Sequence, residues 1–373
     1  MRIVALLIAA GAAWAQSSSP EQLFRDAVAA QQHGDDALAV GKYRELLKRY
    51  PDAIEVRANL GAALAKLGRY DEAIEQYRAV LARKDNADLR FNLALAYYKL
   101  GRLPEAVQDL EALHKLQPLE LKPALLLADC LLQTNQPPKA VEVLSPLQQE
   151  YPDDHAVIYA LGMALLNDNR TREAQVLLDR ILRDGESAES AFLLGQSELL
   201  RNDIGAAVAH LARAVELNPK MPWAHTLYGQ ALQAAGKPEQ ATTQFNEELK
   251  VNPYDFTANT EIALLLRQDG KLDDALAHIL LALQVRPNDP GALYQRASIH
   301  LSQGLTGQAR QELEQLIREY PSFSEAHAAL ATVYYRLRRT ADGDKEAAEA
   351  RRVREEAQKL LEEKRKPSPS AKQ

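Results

Sequence analysis

RANLGAALAKLGRYDEAIEQYRAVL, residues 57–81, carries two apolar stripes at helical spacing with one break between them. Val56, Leu60, Leu64 and Leu67 recur on one face and end at Gly68, while Ala73, Ile74, Tyr77 and Leu81 do the same before the next turn. The stretch reads as two short amphipathic helices folded back on each other. Working outward, Ala73 is one of nine alanines spaced 33 or 34 residues apart: Ala39, Ala73, Ala106, Ala140, Ala174, Ala207, Ala241, Ala275 and Ala309. Twelve residues before each stands a Gly or Ala (Ala27, Gly61, Ala94, Ala128, Gly162, Gly195, Gly229, Ala263, Ala297). Twelve residues after, seven of the nine have proline (Pro51, Pro118, Pro152, Pro219, Pro253, Pro287, Pro321), with Asp85 and Glu186 in the other two slots. A fixed period of this length means stacked supersecondary units, each unable to bury its apolar face alone.

The small residues are expected where helices cross, because a bulky side chain there would hold the backbones apart. Gly34, Gly68, Gly101, Gly236, Gly270 and Gly304 stand seven positions after the first small residue, where a left-handed residue ends a helix. Asn135, Asn169 and Asn202 take that place where glycine is missing, and asparagine is the next best residue for it. Proline at the end of a unit cannot continue a helix and sets up the next start.

With these positions in phase, the chain resembles the tetratricopeptide repeat family over roughly residues 20–340, and RFNLALAYYKLGRLPEAVQDLEAL (90–113) is a second stretch that looks like the family consensus. The resemblance implies an all-α, right-handed α-solenoid of about ten helix-turn-helix units across residues 16–343, a superhelix with a concave groove. The units begin near Pro20, Ile54, Ala87, Leu121, His155, Ala188, Pro222, Phe256, Pro290 and Ser324. The tenth keeps a first helix with Ala331 in the small slot, but has Arg338 where Gly is usual and no closing proline. Residues 344–364, with Ala350, Val353, Ala357 and Leu360 on one side, are expected to form a C-terminal capping helix, and 365–373 a disordered tail.

Residues 1–15 stand apart from this architecture. Arg2, the apolar run Ile3–Ala13 and the A-x-A arrangement of Ala13 and Ala15 around Trp14 read as a secretory signal cut after Ala15. The alternative is an uncleaved anchor, but a span needs about 20 apolar residues and Gln16 begins a polar stretch. No cysteine follows the run, so a bacterial lipoprotein route has no attachment point. The mature chain is expected outside the cytoplasm, periplasmic or secreted, with no stable membrane span. The formal charge is −6, and losing Arg2 leaves 44 basic against 51 acidic residues, a net of −7. Nucleic acid needs a clustered basic face and is not an expected partner.

Catalytic chemistry finds no footing in the residues. His33, His114, His155, His210, His225, His278, His300 and His327 are scattered, with no pair at metal-ligand spacing on a helix. His225 and His327 occupy position 4 of their units, facing the partner helix, and packing is their simpler explanation. No G-x-S-x-G, H-E-x-x-H, phosphate loop or dinucleotide fingerprint is present. Asp71–Glu72 and Asp273–Asp274 favour a helix N-terminus through its dipole. Cys130, the lone cysteine, lies on an apolar helix where a small buried role fits better than a reactive one. No metal or cofactor is expected, and the chain reads as a non-enzymatic protein.

A binding surface remains. At about 100° per residue, positions 2, 5, 9, 12 and 13 of a unit share one side of its first helix, and in the family that side lines the concave groove. Positions 5, 9 and 12 in repeats 3–6 are Phe91, Leu95, Tyr98, Leu125, Asp129, Leu132, Tyr159, Met163, Leu166, Phe192, Gln196 and Leu199, ten of twelve apolar or aromatic. In repeats 7–10 only five qualify, among them Leu264 and Tyr294. With Trp223 at the edge of repeat 7, these residues predict an apolar trough for a helix or extended peptide, unless they pack against neighbouring first helices instead. Asn59 and Asn92 at position 6 are candidate backbone contacts or ordinary consensus residues. The clamp by which relatives grip acidic C-terminal peptides needs Lys and Asn where repeat 1 has Phe24 and Val28, and repeat 3 carries Asp88 near its start. The expected role is an exported scaffold or adaptor binding one or more envelope proteins. The alternative is a fixed subunit of an envelope assembly, such as a secretion or polysaccharide-export machine.

Overall fold

The structure is a computed structural model that describes residues 19–365 apart from 184 and 186. The expected leader, the tail beyond 365 and Glu186 of the closing slot lie outside the described residues. Among the described residues there are twenty helices and no strand. The chain divides after Lys99 into two compact units, a boundary inside the third repeat that the uninterrupted period does not announce. The first unit holds α1 (Pro20–Gln32), α2 (Asp36–Arg49), α3 (Ile54–Lys66), α4 (Tyr70–Leu81) and α5 (Ala87–Lys99). In the second unit, repeats 3–6 supply α6 (Leu103–Leu116), α7 (Leu121–Gln133), α8 (Pro137–Glu150), α9 (His155–Asn167), α10 (Thr171–Arg183), α11 (Ala188–Leu200) and α12 (Ile204–Leu217). Repeats 7–10 continue with α13 (Ala224–Ala234), α14 (Pro238–Val251), α15 (Phe256–Gln268), α16 (Leu272–Val285), α17 (Pro290–Ser302), α18 (Thr306–Glu319), α19 (Ser324–Arg336) and α20 (Thr340–Arg365). Within each unit every helix packs on the one before and the one after, so the core is a continuous stack.

The crossing points explain the clock of small residues. All nine slot alanines are buried, as are the nine earlier Gly or Ala positions. A β-carbon on Gly61 would lie 2.5 Å from the Tyr77 ring, on Gly195 2.5 Å from Leu211, and on Gly229 2.6 Å from Phe245. Each partner sits sixteen residues after its glycine and is itself 1% exposed or less, so the pair of helices is held at the distance that side chain sets. Asn135, Asn169 and Asn202 adopt φ near +60° and end their helices as the sequence predicts.

A polar clamp recurs that spacing of small residues did not reveal. In four repeats the side chain at position 4 bonds back to the carbonyl of the closing proline six residues earlier: Arg57 to Pro51 (2.8 Å), His225 to Pro219 (3.1 Å), Asn259 to Pro253 (3.0 Å) and His327 to Pro321 (3.1 Å). The same side chains reach forward nineteen residues to the second helix, at Gln76 (3.0 Å), Gln244 (2.7 Å), His278 (2.9 Å) and Glu346 (2.7 Å). A carbonyl left over at a helix end is thereby satisfied and the two helices are tied. His225 and His327 therefore hold scaffold, and no group of three or more metal-ligating side chains forms among the described residues.

The tenth unit departs less from the pattern than expected. Arg338 occupies the left-handed slot with φ +58°, and Gly343 stands 34 residues after Ala309, in the slot of the alanine series. A β-carbon there would meet the Tyr335 ring at 2.5 Å, so glycine is needed. The last helix accordingly begins at Thr340, not at 344, and is the second helix of the unit extended outward. Ala350 and Val353 are buried, but Ala357 is exposed, and the side chain of residue 360 is outside the described set. No described helix is long and apolar enough to cross a membrane.

Candidate functional site

The second unit curls until its eighth repeat meets its own beginning. Gln284 at the end of α16 donates to the Leu100 carbonyl (2.5 Å), and Arg286 Nε donates to the Gln133 carbonyl at the end of α7 (2.6 Å). The Tyr254 ring fills the space beside Gly101, where a β-carbon would come within 2.3 Å of it. Arg286 also stacks over Phe256, 4.1 Å from the ring centroid. Its burial pushes the guanidinium pKa down against the pull of Asp289 and Asp255.

Inside this curl lies a cavity of about 650 Å³. Its apolar wall is built by Leu125 and Leu132 of α7, Tyr159 and Met163 of α9, Ile181 of α10, and Trp223 in the turn before α13. Asp129 and Glu189 are the carboxylates in the lining, His155 is also there, and no lysine or arginine is among the described lining residues. A smaller cavity of about 120 Å³ shares Leu132, Met163 and Trp223 with the first and adds Phe192, Asp255 and Arg286. Tyr159 meets Phe192 edge-on at 6.2 Å. Burial, reinforced by the negative charges of Glu189 and Asp129, pushes the Tyr159 hydroxyl pKa far up, so it stays protonated.

Trp223 reaches the cavity through an unusual helix start. It has φ +64° and ψ −6°, a left-handed backbone that costs a non-glycine residue about 1–2 kcal/mol. Repeat 7 consequently starts its helix at Ala224, not Pro222. Met221, which precedes the expected start, has no side-chain oxygen to cap the helix, and Glu248 of α14 supplies one. Its Oε1 accepts from Trp223 N (3.0 Å) and its Oε2 from Thr226 N (3.3 Å). Thr226 Oγ1 donates in turn to Asp255 Oδ1 (2.9 Å). Burial, with Asp255 adding repulsion, pushes the Glu248 carboxyl up to about 7, and burial raises Asp255 as well.

Of the residues the sequence put in a trough, the structure gathers Leu125, Tyr159, Met163 and Trp223 in the larger cavity and Phe192 beside them in the smaller. Phe192 and Met163 are also buried core, 1% and 3% exposed. Leu166 is turned away, in the crevice with Gly162 and Leu193, and Leu199 lines neither cavity. Phe91, Asn92, Leu95 and Tyr98 are half-buried on α5, and Asn59 half-buried on α3, all in the first unit. The Tyr43 hydroxyl, whose pKa burial raises and the neighbouring Asn59 side chain lowers, donates to Gln31 (2.9 Å). Glu189 does not stand at positions 5, 9 or 12 of its unit. Position 2 on the same face gives Ala156, Glu189 and Trp223, all in the lining. Asn218 and Met221 come from a turn, where helical period carries no signal.

Comparison with known proteins agrees with this architecture. Two models described as tetratricopeptide repeat match the chain, one over residues 24–88, 59–119 and 228–292, the other over 98–161 and 266–333. A model of anaphase-promoting complex, cyclosome, subunit 3 matches residues 167–248. Anaphase-promoting complex subunit 3 of Schizosaccharomyces pombe is 27% identical over 116 residues, 30% of this chain and 17% of that protein's length. Among solved structures, the Cut9–Hcn1 hetero-tetramer of the APC/C has TM-score 0.43 at 12% identity, covering 90% of this chain and 88% of that chain. Yeast Tom70 has TM-score 0.37 at 15% identity, covering 90% and 92%.

Proposed function

We propose, for a chain that belongs to the tetratricopeptide repeat family, the role of a non-enzymatic, exported scaffold that holds a segment of a partner protein in the cavity of its second unit. The observation that carries this reading is the cavity itself, about 650 Å³ of mostly apolar space between repeats 4 and 7, with Tyr159 and Trp223 half-buried in its wall. A concave, mostly apolar surface of this size marks an interaction site more often than bare solvent-facing wall. Tyrosine and tryptophan offer large contact area at small entropic cost, the usual anchors of a recognition surface. Export rests on the apolar run and A-x-A site of residues 1–15.

The test is a photo-reactive amino acid in place of Tyr159, expressed in the native cell. Protein adducts are expected there, and their absence with a folded protein would overturn the binding role. The mass of the purified chain should place its first residue at Gln16, and an intact Met1 would overturn export. Partners that exchange from a monomer support an adaptor, whereas a constant stoichiometric complex would support the fixed-subunit alternative.

A further inference from the structure

We infer that the smaller cavity is a carboxamide subsite, taking the side chain of an asparagine or glutamine from the partner segment whose apolar part lies in the larger one. The inference rests on the binding role above and adds one element of specificity. Gln196 of α11 is 8% exposed, and its Oε1 is sealed from solvent with no hydrogen-bond partner. Its Nε2 donates to no described group of the protein either, so the whole carboxamide is uncommitted. Buried side-chain amides nearly always find partners, and one left unpaired costs its desolvation. Gln196 is one of two polar side chains among the twelve groove positions of repeats 3–6, Asp129 being the other. It stands one helical turn after Phe192, and both line the smaller cavity, which adjoins the larger through Leu132, Met163 and Trp223.

The charges around Gln196 fix the character of the ligand. Arg286 and Asp255 are the charged groups in the described lining, and they are opposite in sign. Burial works against the charge on each, and each favours the charge on the other. An entering carboxylate would meet Asp255 and an ammonium would meet Arg286, whereas a neutral group is repelled by neither. The ligand must still hydrogen-bond, because Gln196 brings both donors and an acceptor. A carboxamide is neutral and matches both, and rotation of the Gln196 amide about its last bond presents whichever end is needed. At about 120 Å³ the space approaches the roughly 150 Å³ cavities that take up one benzene-sized group, room for one side chain and not for a length of chain.

Nuclear magnetic resonance of the isotope-labelled full chain tests this with four probes that share a six-carbon tail: hexanamide, hexanoate, hexylamine and hexanol. The Gln196 side-chain amide signals are assigned by their loss in Gln196→Leu. In a Trp14→Phe background Trp223 is the only indole, and its N–H reports on both cavities. Hexanamide is expected to shift the Gln196 amide and to bind about fivefold more tightly than the other three, the worth of one added hydrogen bond. Gln196→Leu should erase that preference and leave binding of the tail, and Gln196→Met serves where the branched side chain disturbs α11. If all four probes shift Trp223 and none moves the Gln196 amide, that amide is only hydrated; the cavity stands as a binding site and the subsite is overturned. Hexanol binding as tightly as hexanamide, or a hexanamide preference that survives in Gln196→Leu, would overturn it as well. No shift of Trp223 with any probe would overturn the cavity reading too.

Discussion

Repeats 7 and 8 of the second unit are built to one plan and start their first helices in opposite ways. Both carry the polar clamp, through His225 with Gln244 and Pro219 in one and Asn259 with His278 and Pro253 in the other. Both fill the crossing point, with Gly229 against Phe245 in repeat 7 and Ala263 with Ile279 in the packed core of repeat 8. In repeat 8 the helix is capped locally, Asp255 Oδ1 accepting from Ala258 N at 2.7 Å. Repeat 7 has no such residue, so its cap comes from Glu248 on another helix and Trp223 is forced left-handed. Position 2 lines the cavity in repeats 5, 6 and 7, and in repeat 7 alone of these it lies in the left-handed residue before the helix. Local capping makes a repeat interchangeable; borrowing a cap makes one face of it particular.

The largest effect that would break this comparison is expected from Glu248→Ala. Two backbone donors, one of them fully buried, lose their acceptor and a buried side chain is removed, a loss of about 4 kcal/mol in denaturant unfolding. Next comes pH. Glu248 is held at about 7 in the fold against an ordinary 4.5, so the folded protein binds this proton more tightly. Its contribution is complete below 4.5 and is lost as the pH rises through 7, a swing on the order of 3 kcal/mol. Asp255, also raised, adds a slope of the same sign. Glu248→Gln should flatten the stability profile across that window, and an unchanged slope would show that the buried carboxyl does not govern it.

Gly229→Ala is expected to cost about 2 kcal/mol, because the Phe245 ring it would strike is fully buried and has nowhere to move. Adding Phe245→Ile copies the Ala263 and Ile279 pair of repeat 8 and should recover part of the loss. If the double variant is as unstable as the sum of its parts, the two crossings are not equivalent. The smallest effects sharpen the likeness. Gln244→Ala and His278→Ala each remove one arm of the clamp and should each cost about 1 kcal/mol, to a similar extent in the two repeats.

Much of the fold was legible because a stacked repeat writes its packing rules at fixed intervals. Nine of the ten first helices begin at the residue the period indicates, and the exception is the one whose cap lies 25 residues away at Glu248. The tenth unit was underread because Gly343 broke the run of alanines by identity while keeping its size. The clamp was hidden because it joins residues six and nineteen positions apart, a spacing that no helical face displays. Of the predicted trough, Leu125, Tyr159, Met163 and Trp223 come together, whereas Leu166 does not, since position 12 turns toward the next helix in that repeat.

By itself the sequence determined the helices, their order, their crossing points and the side that carries variable residues, because each follows from local period and residue size. Only the tertiary structure decided that the second unit curls far enough for Arg286 to reach Gln133, and that Leu125, Tyr159, Met163 and Trp223 come to line one open cavity. Curvature is the sum of small rotations at every crossing, and a contact across 153 residues depends on all of them at once.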